Sequence, residues 1–117
     1  IYHGQFEHQP GERVRLYLGE YRAVEVAVHV NGQLAGHIPW ASANGFDLTP
    51  YLGPGTNNVD VEVVSSPRNM LGPLHLAAGH EPWTDWRSFR RTDETFTPED
   101  VLQPWGLIGQ VRLAREE

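Results

Sequence analysis

The sequence predicts an all-β fold, an antiparallel β-sandwich, and three observations lead to this expectation. The length of 117 residues is that of one ordinary domain with a single core. Glycine occurs 12 times and proline 9 times, and no stretch keeps a helical period through several turns. Polar and apolar residues alternate in about seven short segments, which is typical of half-buried strands in two packed antiparallel sheets. We therefore expect residues 1–117 to form a single β-sandwich domain.

Four segments carry the clearest strand patterns. Residues 13–18 alternate between polar and apolar side chains, which predicts a half-buried strand. Residues 24–30 place four valines, beginning with Val24, on one face of a second strand. A return strand is expected over about residues 33–38, and a final strand over residues 110–114.

The dipeptide Asn31-Gly32 predicts a tight hairpin between the second strand and its return. Both positions of a two-residue hairpin turn need a positive φ, which asparagine and glycine accept. Such a turn would set His29 opposite Leu34 and His37 opposite Val26. Because side chains alternate along a strand, the two histidines would then lie on different faces of the sheet.

The stretch "FDLTPYLGPGTNNVDVEV" predicts a short helical turn between two strands. Asp47 or Thr49 is expected to cap the turn through a side-chain oxygen. Leu48 and Leu52 fall on the same side and are expected to dock on the sheet. Asn57 suits a corner at which its amide bonds back to the main chain, before the alternating valines of the next strand. The turn is thus expected to close one end of the sandwich.

Composition excludes several classes of function. The net charge is -6, and all nine basic residues are arginine, so a nucleic-acid partner is not expected. No apolar run approaches the length of a transmembrane helix, so no membrane partner is expected either. The absence of cysteine excludes disulfides and thiolate metal sites, but leaves extracellular, periplasmic and cytoplasmic locations open.

Two segments together carry a resemblance to a known family. "VHVNGQLAGHI" and the turn stretch that follows it resemble the galactose-binding-like jelly-roll domains of bacterial glycoside hydrolases. The likeness is to the sugar-binding domain of the family 2 type and to similar accessory domains of rhamnosidase-like enzymes. The shared positions are Asn31, Gly32, Gly36, Asp47, Leu48, Thr49, Leu52, Gly55 and Asn57. The doubled Asn57-Asn58 departs from the family pattern, although the phase of the following valines is kept.

The later segments "RNMLGPLHL", "WTDWRSF" and "PWGLIGQVRL" resemble the tail of such C-terminal domains. The resemblance covers most of residues 2–114. It implies a jelly-roll accessory domain that is a C-terminal fragment of a larger multidomain protein. In this family the catalytic carboxylates lie in a separate domain, so a neighbouring catalytic domain is the implied partner.

The acidic residues give no sign of independent catalysis. Glycoside hydrolysis needs two carboxylates held at a fixed separation around the scissile bond. The acids of the irregular segment show no spacing that marks such a pair; they are Glu81, Asp85, Asp93, Glu94, Glu99 and Asp100. No nucleophile elbow or phosphate-binding loop is present either. We therefore expect an accessory domain and no enzyme.

The long irregular segment over residues 65–98 is the predicted binding region, with carbohydrate as its ligand. Aromatic rings stack on the C–H faces of sugars, while arginine, carboxylate, amide and imidazole groups bond to hydroxyls. The candidate residues are Trp40, Asn69, His75, His80, Trp83, Asp85, Trp86 and Arg87, and Phe89 and Arg90 lie in the same loop. Two alternatives stay open for the tryptophans: they cover an open end of the core, or they pack against a neighbouring domain.

The six histidines raise the question of a metal site. A small jelly roll that binds a transition metal is expected to show a His-x-His pair on one strand, and the chain has none. No Asp-rich loop indicates a structural calcium site. We therefore expect no metal and no cofactor, with a small metal-binding jelly roll as the remaining alternative.

Overall fold

The structure is a computed structural model that describes residues 1–39, 44–79, 84–91 and 94–116. Strands dominate its regular elements, and every strand pairing is antiparallel. The predicted all-β antiparallel class is therefore confirmed, whereas the jelly-roll arrangement stays a prediction. Contacts divide the chain into two compact units, Ile1–Ser65 with Trp105–Glu117 and Ser66–Pro104. That residues 1–117 act as one domain stays a prediction as well.

All strands of the described residues belong to the first unit. They are β1 Tyr2–His8, β2 Arg13–Tyr17, β3 Tyr21–Arg22, β4 Glu25–Val30, β5 Gln33–His37, β6 Phe46–Asp47, β7 Gly55–Val64, β8 Gly106–Leu107 and β9 Arg112–Glu116. They form a four-stranded sheet in the order β1-β7-β4-β5, a three-stranded sheet β6-β2-β9 and a two-stranded sheet β3-β8. β1 and β9 are thus edge strands of the two larger sheets.

The core of this unit is built from the alternating apolar residues that the sequence predicts. Both larger sheets contribute to one cluster of buried side chains, which are Val14, Leu16, Leu18, Val26, Val28, Val30, Leu48, Val59 and Val61. Most of them are β-branched and stand on a single face of their strand, where such side chains pack well. Their burial provides the main favourable term for folding.

The hairpin turn between β4 and β5 lies where the sequence predicts it. Asn31 has a φ of 51° and Gly32 a φ of 82°. The predicted pairing of His29 with Leu34 is confirmed. The two pairs next to the turn, Val30 with Gln33 and His29 with Leu34, are therefore those that a two-residue turn predicts.

The predicted position of His37 is wrong. His37 pairs with Ala27 and not with Val26, because the register shifts by one residue along β5. The partners on either side of the shift leave Ala35 as the extra residue, which makes this a β-bulge. As a result His37 faces the same side of the sheet as His29, contrary to the expectation from the sequence.

The short helical turn is present as a 3₁₀ turn over Thr49–Tyr51. The carboxylate of Asp47 accepts a hydrogen bond from the amide of Thr49 at 3.0 Å. The hydroxyl of Thr49 instead accepts from the amide of Val14 at 2.9 Å, and so ties the turn to β2. Leu48 is completely buried and Leu52 is partly buried against the core, as predicted.

Asn57 is a fully buried polar residue at the start of β7. Its amide nitrogen donates to the carbonyls of Gly53 and Gly55 at 2.8 and 2.9 Å. Its amide oxygen accepts from the backbone of Gly53 and from the side chain of Asn31, both at 2.9 Å. The predicted corner is therefore confirmed, and the whole hydrogen-bonding capacity of the amide is used inside the protein.

Several strand boundaries differ from the sequence expectation. Val24 precedes β4 and is 65% exposed, so only the later valines of that segment reach the core. The last strand begins at Arg112, later than predicted. The amides of Ile108 and Gly109 both bond to the carbonyl of Glu20, which holds the chain in a bend before the strand starts.

The second unit has little regular structure, as the sequence predicts. It contains a single-turn helix α1 over Arg68–Leu71 and a 3₁₀ turn over Trp86–Phe89. An isolated antiparallel bridge joins Leu76, which is buried, to Phe96. In the residues that the structure describes, no helix is long and apolar enough to cross a membrane.

Candidate functional site

The eight predicted binding residues fall into two groups. Trp40, His80 and Trp83 lie outside the described residues. The other five all belong to the second unit; they are Asn69, His75, Asp85, Trp86 and Arg87. The structure assigns different local roles to these five side chains.

Asn69 is occupied by a structural contact. Its amide nitrogen donates to the carbonyl of Gln103 at 2.8 Å, and its amide oxygen accepts from the amide of the same residue at 2.8 Å. This paired contact joins α1 to the far end of the segment. A side chain that is used in this way has little capacity left for a ligand.

Asp85 is also used within its own turn. Its carboxylate accepts from the amide of Arg87 at 2.7 Å, while its own amide donates to the hydroxyl of Ser88 at 3.2 Å. This reciprocal pair is a capping box, and it starts the 3₁₀ turn at Trp86. Asp85 therefore positions the following residues, and its predicted contact with a sugar stays a prediction.

Trp86 is presented to solvent by this turn. Its side chain is 61% exposed, as is that of Phe89. The guanidinium of Arg90 lies 4.1 Å from the centre of the Trp86 ring, and that of Arg87 lies 5.6 Å away. Both distances are those of cation–π contacts. We call Trp86, Arg87, Phe89 and Arg90 the Trp86 surface.

Next to this surface is a cavity of about 210 Å³, which we call the Phe89 cavity. Its walls include the aromatic rings of Phe89 and Phe96, and its polar groups include His75, Arg90 and Arg91. The rings of His75 and Phe96 are in contact, with centres 5.7 Å apart and planes tilted by 44°. The structure thus brings one predicted residue, His75, together with the 3₁₀ turn.

Backbone pairing holds one wall of the Phe89 cavity in place. The carbonyl of His75 accepts from the amide of Thr97 at 2.9 Å, and the carbonyl of Leu74 accepts from Val101 at 2.7 Å. The ring of His75 also contacts the carbonyl of Glu99 at 3.3 Å through Nδ1. The wall that carries His75 is therefore fixed by the main chain and not by a ligand.

Among the charged and aromatic residues of this cavity, sequence reasoning missed Arg91 and Phe96. Phe96 is brought to His75 by the isolated bridge, a long-range pairing that no local pattern announces. The sequence does contain a pattern that could have indicated Arg91, because Arg90 and Arg91 are adjacent basic residues in an acidic chain without lysine.

The histidines do not form a metal site in the described part of the chain. Within residues 1–39, 44–79, 84–91 and 94–116, no three histidine or acidic side chains come together as metal ligands. His29 and His37, which share one face, each contact a separate carboxylate, Glu62 at 3.2 Å and Glu25 at 2.8 Å.

The first unit carries a larger groove of about 450 Å³ beside β1. Its walls are mostly apolar and include Tyr2, Phe6, Val61 and Leu113, and Arg112 is among its few polar groups. A groove of this kind offers few partners for the hydroxyls of a sugar. It is therefore a poorer candidate than the Trp86 surface for a carbohydrate ligand.

Comparison with known proteins gives a similarity to a solved structure. No protein-family model matches the chain, and no curated protein matches it in sequence. Among solved structures, the chain is similar to a rhamnosidase from Novosphingobium sp. PP1Y, with a TM-score of 0.62 and 25% sequence identity. The match covers 97% of this chain but only 10% of the rhamnosidase, which is a glycoside hydrolase. The chain thus spans about a tenth of the length of the protein that it resembles.

Proposed function

We propose that this chain is a non-catalytic accessory domain of a larger glycoside hydrolase-like protein. One observation carries the proposal: nearly the whole chain matches a small part of a rhamnosidase. Such a part has the size of one domain, and the remaining nine-tenths is ample for a catalytic domain. The partner would be that neighbouring catalytic domain, and the fold would be a galactose-binding-like jelly roll.

Within this role, we assign carbohydrate binding to the Trp86 surface. Trp86 and Phe89 offer exposed aromatic rings, on which the apolar faces of a pyranose can stack. Arg87 and Arg90 place N–H donors beside these rings, and sugar hydroxyls accept such donors. The capping box at Asp85 sets the geometry of the turn before any ligand arrives.

A second function is favoured by the composition of the same surface. Tryptophan, phenylalanine and arginine are the residues that most often anchor protein–protein interfaces. Trp86 and Phe89 would then pack against the neighbouring domain, and the chain would be a structural module without a ligand of its own.

The experiment that decides between these functions is isothermal titration with a panel of neutral and acidic oligosaccharides. The unaltered chain is compared with Trp86→Ala and with Tyr51→Ala, a control that removes an exposed aromatic ring from the first unit. Saturable binding that disappears in Trp86→Ala and persists in Tyr51→Ala supports the carbohydrate function. No heat with any saccharide, in variants that remain folded by circular dichroism, contradicts it and favours docking.

A parallel assay tests the absence of catalysis. The purified chain is incubated with aryl glycosides, including an aryl rhamnoside, and release of the aryl group is followed by absorbance. We expect no release above the rate in buffer. Release that rises in proportion to the concentration of the chain would contradict the accessory role.

A further inference from the structure

The turn that carries Trp86 is basic, although the chain as a whole has a net charge of -6. Residues 84–91 contain three arginines and one acid, Asp85. The carboxylate of Asp85 is already bonded to the amide of Arg87. Among the residues that the structure describes, neither Arg90 nor Arg91 forms an ion pair. Neither of these two guanidinium groups is thus bound to a carboxylate of the described residues, although the carboxylate of Asp100 lies 3.8 Å from the ring of His75, which lines the Phe89 cavity.

Both of these arginines line the Phe89 cavity. The guanidinium group of Arg90 lies over the ring of Trp86, and a guanidinium placed in this way can still donate hydrogen bonds from its edge. Arg91 is exposed, and lines the same cavity. The guanidinium groups of two arginines thus belong to one small cavity that also has aromatic walls.

The size of the Phe89 cavity limits what it can hold. At about 210 Å³ it is smaller than the usual sites for drug-sized ligands, which begin at about 300 Å³. A single ring therefore fits better than an extended ligand. The rings of Phe89 and Phe96 provide an apolar face, while the charged groups provide one strongly cationic region.

We infer that the Phe89 cavity binds the carboxylate-bearing ring of an acidic sugar, a uronic acid residue of a polysaccharide. This inference rests on the proposed carbohydrate binding and names its ligand class. A guanidinium group matches a carboxylate with two parallel hydrogen bonds, which a neutral hydroxymethyl group cannot reproduce. The C–H face of the pyranose packs on Phe89, and the carboxylate meets Arg90 and Arg91.

The test uses two oligosaccharides that differ in the charge of the carboxyl group and in one methyl group per ring. Short oligogalacturonides are titrated into the chain as the free acid and as the methyl ester, in which the carboxylate is neutral. We expect the free acid to bind about tenfold more tightly or better, because a hydrogen bond to a charged group contributes more than a neutral one. Raising the ionic strength should weaken binding of the free acid and leave the ester little affected.

Matched variants identify the groups responsible. Arg91→Gln and Arg90→Gln should each lower the affinity for the free acid about tenfold and leave the ester unchanged. Arg22→Gln is the control, since it removes an exposed arginine from β3 in the first unit. Arg91→Gln is the more informative variant, because Arg90 also contacts Trp86 and its loss can disturb the turn.

The possible outcomes distinguish the uronate inference from the proposed carbohydrate binding. Equal affinity for the free acid and the ester, or binding of neutral sugars alone, overturns the uronate inference and leaves carbohydrate binding intact. If no saccharide binds, both the uronate inference and the proposed carbohydrate binding are overturned. A third probe, short poly-glutamate, carries carboxylates without pyranose rings. If it binds as tightly as the oligogalacturonide, charge alone is recognised and the inference fails.

Discussion

The side chain of Asn31 donates a hydrogen bond to the amide oxygen of Asn57 at 2.9 Å, although the two residues are 26 positions apart. Asn31 also accepts from the backbone amide of Asn58 at 2.9 Å. The β4–β5 hairpin turn is thereby joined to the start of β7. Two asparagines thus lock together the segments that carry the resemblance to accessory domains.

The first prediction concerns the buried amide of Asn57. Asn57→Ala should lower the free energy of unfolding by about 2–4 kcal/mol, because it removes three hydrogen bonds to partly buried backbone groups of Gly53 and Gly55. Urea denaturation followed by circular dichroism measures the change. Asn58→Ala, at the exposed neighbouring position, is the control and should cost less than about 0.5 kcal/mol. A similar loss in both variants would contradict this role of Asn57.

A second prediction compares two glycines that both have a positive φ. Gly19 has a φ of 64°, and a Cβ there would lie 2.9 Å from the carbonyl oxygen of Gln110. Gly11 has a φ of 96°, and a Cβ there would meet nothing within 4 Å. Gly11→Ala should therefore cost about 1 kcal/mol from backbone strain alone, and Gly19→Ala roughly 2–4 kcal/mol. Thermal unfolding of the two variants side by side tests the difference, and equal losses would contradict it.

Lowering the pH should slightly reduce the free energy of unfolding, because Asp47 becomes protonated. Hydrogen bonds from Thr49, aided by Arg15 and Arg13, hold the pKa of this carboxyl below its ordinary value. The carboxylate thus favours folding above the pKa of unfolded aspartate, about 3.9. This contribution is lost as the pH falls through the lower pKa of the folded state.

Asp47→Asn tests this contribution. Because Asp47 is exposed, the difference in unfolding free energy between the unaltered chain and the variant should shrink by less than about 1 kcal/mol between neutral and acidic pH. Urea titrations at a series of pH values measure it. A difference that stays constant, or one that grows in acid, would contradict the assignment.

The fourth prediction addresses the paired contact between Asn69 and the backbone of Gln103. Asn69→Ala removes both hydrogen bonds and should speed amide hydrogen exchange in the second unit by about tenfold or more, while β4 and β7 remain protected. Gln103→Ala is a matched control, because it keeps the backbone groups that Asn69 contacts. Equally fast exchange in the control would contradict the importance of the Asn69 side chain.

Local chemistry accounts for the parts of the fold that the sequence predicts well. The Asn31-Gly32 turn, the corner at Asn57 and the buried Leu48 each follow from a residue type whose preference is strong within a few positions. The same is true of the alternating valines, since one face of each strand has to meet the core. In these regions, the fold confirms what the local pattern indicates.

The bulge at Ala35 shows what local chemistry does not reveal. Nothing within β5 distinguishes a regular return strand from one with an extra residue, and the register depends on what packs against it. The side chain of Phe46 lies so close to Gly36 that a Cβ there would be 3.2 Å from its ring. Such a contact between distant segments is not visible in the local sequence of β5, whereas the register determines on which face His37 lies.

The candidate site shows the same limit. The sequence named Trp86 and Arg87 as candidate sugar ligands; in the structure Trp86 is exposed and Arg87 lies beside its ring, but their role in binding stays a prediction. It also counted Asn69 and Asp85 as ligands; both side chains bond to the local backbone, and their contact with a sugar stays a prediction. Polar residues of irregular segments often bond to their own backbone, and composition alone does not separate this use from recognition.

The hydrogen bonds of the Asn31 side chain should also slow its deamidation. Asparagine followed by glycine is the sequence most prone to deamidation, because the amide nitrogen of the glycine attacks the side-chain carbonyl. In the folded chain both side-chain atoms of Asn31 are held in hydrogen bonds, so the carbonyl is not free to swing toward Gly32. A new negative charge at this position would therefore accumulate mainly in molecules whose hairpin has opened. The rate at which a deamidated, more acidic species forms on storage therefore measures how often the β4–β5 hairpin opens.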